Sequence, residues 1–220
     1  MLKADFHIHS RYSGDCSTTL EQIIETCLKK NINCVALTDH NEIEGALKLQ
    51  KMAPFKVIVG EEILTTSGEV MGLFLTSRIP RDLPLEEVIR RIKDQGGLVC
   101  AQHPFDKFRS DALQADVMEK FKEQIDLVEV FNARTPLNIT SEKARQFAEK
   151  NHLPASAGSD AHSASEIGIA YVELPEFNGR EDFLAALSQG KIYGHRTSPV
   201  THFKSLWARV KKLAGKGKID

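Results

Sequence analysis

Short apolar runs alternate with helical patterns along most of the chain, and this alternation restricts the possible folds more than any other feature of the sequence. Helices that separate strands act as crossover connections, which is the arrangement found in parallel sheets. We therefore expect an α/β fold with a parallel sheet, closed or open. The strands are expected near residues 2–8, 33–38, 56–64, 70–76, 98–102, 127–131, 155–158 and 169–174.

The clearest helical patterns cover residues 18–30 and 84–95. In the second of these, Val88, Ile89 and Ile92 recur at helical spacing and predict a buried face. Helix-terminating residues stand just before three of the expected strands, in the segments 31–33, 96–97 and 151–154. Their asparagines and glycines are typical of helix C-terminal turns, so they support the same division into elements.

The length of 220 residues and the hydrophobic share of 41% are sufficient for the core of one α/β barrel. The 29 basic residues nearly balance the 30 acidic ones, giving a formal net charge of -1. A charge this small creates no long-range attraction for polyanions or membranes. We expect no membrane association and no stable nucleic-acid complex, and a phosphorylated ligand would have to be attracted locally.

The four cysteines, at positions 16, 27, 34 and 100, form no CxxC pair. Scattered spacing of this kind is typical of buried thiols in a reducing compartment. The first residues lead directly into a strand pattern, and no apolar run is long enough to span a bilayer. These features predict a cytoplasmic protein.

Three polar residues, Asp5, His7 and His9, occupy every second position of the first expected strand. Alternate residues of a strand share one face, so these side chains are expected to point together, with Phe6 and Ile8 facing the opposite way. The pattern alone also fits a solvated strand face. A metal-binding role gains weight only from the residues at the ends of the other strands.

Five further apolar runs end in residues of the metal-ligand type, so that six strand ends carry them. The five segments are Thr38-Asp39-His40, Gly60-Glu61-Glu62, Gln102-His103-Pro104, Glu129-Val130-Phe131-Asn132 and Ser159-Asp160-Ala161-His162. If these ends meet at a barrel mouth, cations are needed to offset the repulsion between carboxylates. Imidazole with carboxylate suits zinc, manganese or iron better than calcium or magnesium.

The same motifs, in this order and spacing, resemble those of the PHP (polymerase and histidinol phosphatase) family. They are DFHIHS, Asp15, TDH, GEE, HP and GSDAH. The resemblance implies a single domain over residues 1–220 with a distorted TIM-like (β/α)7 barrel of the PHP type. Its parts would be a barrel with the metal motifs at 5–162, a C-terminal PHP-associated segment at 166–202, and a terminal helix and tail at 203–220.

The resemblance also implies a site for three divalent metal ions, manganese, zinc or iron. His7, His9, Glu62 and Asp160 would bind the first ion, and Glu62 would bridge to the second. The second would also take His103 and Glu69, where many relatives have histidine at the Glu69 position. Asp15, His40 and His162 would bind the third. Asp5 and Asp39 would be acceptors that orient the ligand imidazoles.

The activity implied is hydrolysis of a phosphate monoester by a hydroxide that bridges the metal ions and attacks phosphorus in line. His40, His162 and Asp160 would be the catalytic residues, with His162, His40 or a metal-bound water protonating the leaving group. Arg134 resembles the phosphate-binding arginine of nucleotide-cleaving relatives, and Arg109 is a second candidate for this contact. Each arginine also fits an ordinary surface ion pair.

The expected substrate is a small phosphorylated metabolite or a nucleotide, such as a nucleoside monophosphate, a 3',5'-bisphosphate or an RNA 5' end. The cap domain that such relatives often insert before the HP motif is not expected, because Glu69 and His103 are separated by only one strand and one helix. Two alternatives remain open. One is a histidinol phosphate phosphatase, and the other is a noncatalytic PHP module that binds metal or docks onto a partner.

Overall fold

The computed structural model describes residues 1–197. Nine strands lie within them, and eight coincide with the strands expected from the sequence. The strands are β1 (Leu2–Ile8), β2 (Cys34–Leu37), β3 (Lys56–Thr65), β4 (Gly68–Leu73), β5 (Leu98–Ala101), β6 (Leu127–Asn132), β7 (Ala155–Gly158), β8 (Ala170–Leu174) and β9 (Lys191–Gly194). The expected terminal helix and tail, residues 203–220, lie outside the described residues.

Six α-helices of the described part separate or follow these strands. They are α1 (Leu20–Lys29), α2 (Glu44–Met52), α3 (Leu85–Asp94), α4 (Ala115–Phe121), α5 (Asn138–Lys150) and α6 (Arg180–Leu187). At the start of α1, the Thr19 hydroxyl accepts from the Gln22 amide while the Gln22 side chain accepts from the Thr19 amide. In α3 the expected face of Val88, Ile89 and Ile92 is buried. No helix between residues 1 and 197 combines the length and apolar character needed to cross a membrane.

The strands form one mixed sheet in the order β7-β6-β5-β4-β3-β2-β1-β8-β9. Strands β1 to β3 are mutually parallel, as are β5 to β7, but β4 is antiparallel to β3 and β5, and β8 is antiparallel to β1. The expectation of a parallel sheet is therefore wrong for β4 and β8. Only two residues connect β3 to β4, and a connection that short forces the chain to reverse.

Contacts between β1 and the end of β7 close the sheet into a nearly complete barrel of seven strands. The Asp160 amide donates to the His7 carbonyl at 2.7 Å, and the His9 amide donates to the Ala161 carbonyl at 3.0 Å. Strands β8 and β9 extend the sheet beyond this seam. The expected distorted TIM-like barrel is confirmed.

The barrel interior is filled below the mouth by a cluster with residues from all seven barrel strands, closed off by Phe177 and Phe183. Phe6 belongs to this cluster, whereas Ile8 packs in the second cluster, with residues of α1 and α2. The two residues therefore do not share a face. The reason is a register shift of β1 on β2 between Asp5 and Ile8, which breaks the simple alternation.

Candidate metal centre

Nine side chains from the loops and strand ends at one end of the barrel converge on a single cluster. They are the nine residues expected to bind metal: His7, His9, Asp15, His40, Glu62, Glu69, His103, Asp160 and His162. Glu69 reaches the cluster because β4 is antiparallel, so that its first residues lie at the same end as the last residues of β3. Seven members are almost fully buried, and only His40 and His162 are partly accessible.

Glu62 lies at the centre of this cluster. Its Oε2 is 3.3 Å from His7 Nε2, His9 Nε2 and His40 Nδ1. Its Oε1 is 2.9 Å from His103 Nε2. One carboxylate thus contacts four imidazoles and could bridge cations that they hold.

Glu61 has no part in the cluster, although it adjoins Glu62 in the same expected strand-end segment. Its carboxylate accepts from the Ile79 amide at 2.9 Å on the other side of β3. Burial raises the pKa of Glu61 to about 7. Alternation along the strand sends Glu62 into the mouth and Glu61 away from it.

The ligand atoms form four overlapping groups of three, each within 4.8 Å. The groups are His7 with His9 and Asp160; His7 with Glu62 and His103; His40 with Glu62 and Glu69; and His9 with His40 and His162. Asp15 Oδ2 lies 3.2 Å from His162 Nε2 and 3.6 Å from His40 Nε2. The structure thus groups Glu69 with His40, whereas the family resemblance implied that it shares an ion with His103.

The Nδ1 atoms of His7 and His9 are held from outside the cluster. His7 Nδ1 is 3.0 Å from Glu129 Oε1. His9 Nδ1 is 3.2 Å from Ser13 Oγ, whose own proton is donated to Asp39. Both rings therefore keep the proton on Nδ1 and direct Nε2 at the cluster, where the two Nε2 atoms are 3.1 Å apart.

Two of these contacts correct the expected roles. Asp39 orients an imidazole only indirectly, through Ser13. Asp5 does not orient one: its carboxylate accepts from the Ser159 amide and hydroxyl and from the Gly168 amide, and so holds the chain on both sides of Asp160. Burial raises the pKa of Asp5 to about 6 despite these hydrogen bonds.

Sequence reasoning assigned no role to Glu129 or Ser13, although both contact ligand imidazoles. Glu129 stood in one of the strand-end segments, so its position was a usable signal. Ser13 left no comparable signal, because a serine in a loop after the first strand is common and its contact with His9 depends on the path of that loop.

Electrostatics within the cluster shift the pKa values of His7 and His9 in opposite directions. Burial and the neighbouring His162 lower the pKa of His9 to about 3, which keeps that ring neutral. Burial also acts against a charged His7, but Glu129, Glu62 and Asp160 outweigh it and raise the pKa of His7 well above its ordinary value. The three carboxylates therefore favour positive charge at His7 Nε2, whether it is a proton or a metal cation.

The residues fit divalent metal ions by their donor set and their charge. Each of the four groups includes imidazole nitrogen, and three of them also include carboxylate oxygen, the ligands that zinc, manganese and iron take from proteins. The buried Glu69 Oε2 has no hydrogen-bond donor, so a cation would satisfy an atom that the protein leaves without one. A metal ion bound by His7 would displace the Nε2 proton.

Arg109 reaches the cluster from the loop after β5. Its Nη2 is 2.5 Å from Asp160 Oδ2, which also lies 3.3 Å from Asn132 Nδ2. Arg134 is buried nearby, and its amide donates to Asn132 Oδ1 at 2.9 Å. Of the remaining histidines, His152 and His195 are exposed outside the cluster, and His202 lies outside the described residues.

Comparisons with known proteins agree with this fold. A family model described as PHP-associated matches residues 138–192, a range that starts earlier than the expected segment 166–202. The uncharacterized protein MJ0417 of Methanocaldococcus jannaschii is 41% identical over 181 residues, covering 80% of this chain and 72% of that protein.

Two solved structures share the fold at low sequence identity. One is a two-domain protein of Bacteroides vulgatus that contains a predicted PHP-like metal-dependent phosphoesterase, with a TM-score of 0.70 and 20% identity; the match covers 88% of this chain but 65% of that one, slightly less than two thirds. The other is an amidohydrolase of Chromobacterium violaceum with bound sulfate and no metal, with a TM-score of 0.61 and 17% identity over 75% of this chain and 89% of that one.

The family match adds to the resemblance, because GSDAH is the one quoted motif that falls within residues 138–192. The match covers α5 to the first residues of β9 and includes Asp160 and His162, whereas the other seven members of the cluster precede it. Since MJ0417 is 41% identical over 80% of the chain, the relationship extends well beyond that segment. We conclude that the chain belongs to the PHP family.

Proposed function

We propose that the protein is a metal-dependent phosphoesterase that hydrolyses the phosphate monoester of a small metabolite or a nucleotide. The observation that carries this proposal is the central position of Glu62, which contacts four histidines at the barrel mouth. The Bacteroides protein that shares the fold is described as containing a predicted PHP-like metal-dependent phosphoesterase, which supports the reaction class.

Charge at the mouth favours a phosphate ligand. Three divalent ions would bring six positive charges to nine ligands that include four carboxylates, Asp15, Glu62, Glu69 and Asp160. Arg109 adds a further positive charge at Asp160. The local surplus attracts a phosphate dianion although the whole protein is almost neutral.

When bound, divalent ions supply a water of lowered pKa and positive charge for the phosphate oxygens. The chain's own residues bind and orient the ester. Arg109 and Arg134 would hold the nonbridging oxygens, a task that suits the planar guanidinium. His40 and His162 would transfer the proton to the leaving group, because their side chains are 19% and 8% exposed whereas those of His7 and His103 are fully buried. Asp160 would hold a metal ion together with His7 and His9 and would position Arg109.

The test is to determine bound manganese, zinc and iron and then to measure phosphate release from a panel of esters. The panel contains an aryl phosphate, a nucleoside 5'-monophosphate, a 3',5'-bisphosphate, histidinol phosphate and a 5'-phosphorylated oligoribonucleotide. We expect release from at least one nucleotide or small ester. Release from histidinol phosphate alone would support the alternative of a histidinol phosphate phosphatase. Metal binding without release from any ester would support a noncatalytic PHP module.

We predict that His9→Ala loses metal and phosphatase activity together. The substitution removes an Nε2 atom that lies 3.3 Å from both Glu62 and Asp160, so two carboxylates lose a shared ligand partner. Metal content is measured by mass spectrometry and activity by phosphate release. The matched control is His195→Ala, at an exposed histidine outside the cluster. Full metal content in the His9 variant would contradict the proposed ligand set.

A further inference from the structure

Glu129 contacts two members of the cluster at once, although it is not itself in any of the four ligand groups. It lies on β6 and is almost fully buried. Its Oε1 is 3.0 Å from His7 Nδ1, and its Oε2 accepts from the His103 amide at 2.8 Å. Oε2 also accepts from Asn132 Nδ2 at 3.0 Å. Both carboxylate oxygens therefore have partners, and the two partners of Oε2 are N–H donors.

The contact with His7 determines which ring nitrogen faces the cluster. A carboxylate can only accept, so His7 Nδ1 must carry a proton. The other nitrogen, Nε2, is then the one that can offer a lone pair to a cation, at the position 3.3 Å from Glu62 Oε2. A carboxylate behind a ligand imidazole also increases the basicity of the ligating nitrogen.

The contact with His103 acts on the backbone. His103 has a φ of 31°, in the left-handed region that costs energy for a residue with a side chain. The hydrogen bond from its amide to Glu129 Oε2 helps to hold that conformation. His103 Nε2 is thereby kept 2.9 Å from Glu62 Oε1.

The backbone around this pair leaves room for the carboxylate and for little else. A Cβ atom placed on Gly158 would lie 2.3 Å from His7 Cβ and 3.0 Å from Glu129 Oε1. Strand β7 therefore passes directly over the contact between Glu129 and His7.

We propose that Glu129 is a positioning residue that fixes the ligating nitrogen of His7 and the backbone of His103 for metal binding. The proposal rests on the proposed metal-dependent function, but its test needs no turnover. It assigns to one carboxylate the orientation of two ligands, one on β1 and one just after β5.

The test compares Glu129→Gln and Glu129→Met with the wild type by zinc(II) affinity, measured in competition with a chromophoric chelator. Glutamine has one acceptor oxygen for two sets of donors, so we expect zinc affinity to fall about 10-fold. Methionine fills similar space without any strong acceptor. We expect its zinc affinity to fall about 100-fold, the upper end of the effect for such contacts. Glu149→Gln and Glu149→Met, at an exposed site on α5, are the matched controls. Equal zinc affinity in wild type and both Glu129 variants would overturn the proposal.

A second measurement uses the zinc-loaded wild-type protein and does not depend on how the variants fold. Nitrogen-15 spectra of the histidine rings should show His7 protonated at Nδ1 and bound through Nε2. A His7 ring bound through Nδ1, or carrying no Nδ1 proton, would overturn the proposal. Absence of phosphatase activity with these zinc and ring results intact would instead refute the proposed function and leave the role of Glu129 standing.

Discussion

Glu61 and Glu62 are neighbours of the same residue type, yet the protein gives them opposite surroundings. Glu62 contacts four imidazoles, and although burial opposes ionisation, His40 and His7 hold its pKa well below the ordinary value. Glu61 faces an amide on the other side of the strand, and burial raises its pKa to about 7. Which of the two lies in the cluster follows from the alternation of side chains along the strand, and residue type alone does not provide it.

For the two arginines beside the cluster, we predict that Arg109→Ala and Arg134→Ala keep the metal but bind the phosphate ester more weakly. A charge-assisted hydrogen bond from a guanidinium contributes about 1.5–3 kcal/mol, so KM should rise about tenfold or more. The measurement is steady-state kinetics with metal content determined in parallel. Arg145→Ala, at an exposed position on α5, is the control. An unchanged KM in either site variant would remove that arginine from the phosphate site.

The secondary-structure elements show what periodicity can and cannot predict. Eight strands were identified from apolar runs, and the helix-terminating turns are where Asn31, Gly96 and His152 adopt a positive φ. The register shift in β1 and the reversal at β4 were not predicted, because both depend on pairing with another strand. The first separates Asp5 from His7 and His9, and the second brings Glu69 to the mouth.

The close approach of β7 to β1 gives a prediction for these elements. Gly158→Ala would place a methyl group 2.3 Å from His7 Cβ and 2.7 Å from the His7 backbone nitrogen. Neither atom can move independently of β1, so we expect a loss of about 1–3 kcal/mol in the free energy of unfolding. Urea denaturation measures the loss. The control is Gly14→Ala, since nothing lies within 4 Å of a Cβ there, and equal stability of the two variants would contradict the close packing at this seam.

For the whole molecule, the family motifs predicted the barrel and the membership of the cluster, but not how its members share partners. The nine expected ligands do converge, because the parallel strands place their carboxyl ends at one mouth and the antiparallel β4 begins there. The pairing of Glu69 with His40, and the support from Glu129 and Ser13, depend on distances between loops that are remote in sequence. No periodicity within one segment contains that information.

The four cysteines are all buried and free, so their reactivity measures whether the whole barrel is folded. Burial raises the pKa of Cys16 to about 11 and that of Cys27 to about 12, from an ordinary value of 9.0. We predict that a thiol reagent at about pH 8 labels no cysteine in the folded protein and all four in denaturant. Rapid labelling of the folded protein would contradict the closed core.

The same thiols predict how stability changes at high pH. In the unfolded chain they ionise near pH 9.0, whereas Cys16 and Cys27 in the fold stay neutral up to about pH 11 and 12. The unfolded state therefore binds fewer protons in this window, and stability falls as the pH rises through it. The urea midpoint should be lower at about pH 10 than at about pH 8, and Cys27→Ala should reduce the difference.

Strand β1 pairs in the finished sheet with β2 and β8, and at the seam it meets residues 158–161. During synthesis, His7 and His9 emerge from the ribosome long before Asp160, the third member of their ligand group. A nascent chain therefore cannot bring these three side chains together until translation has passed β7. A cation held by all three could bind only after that point in synthesis.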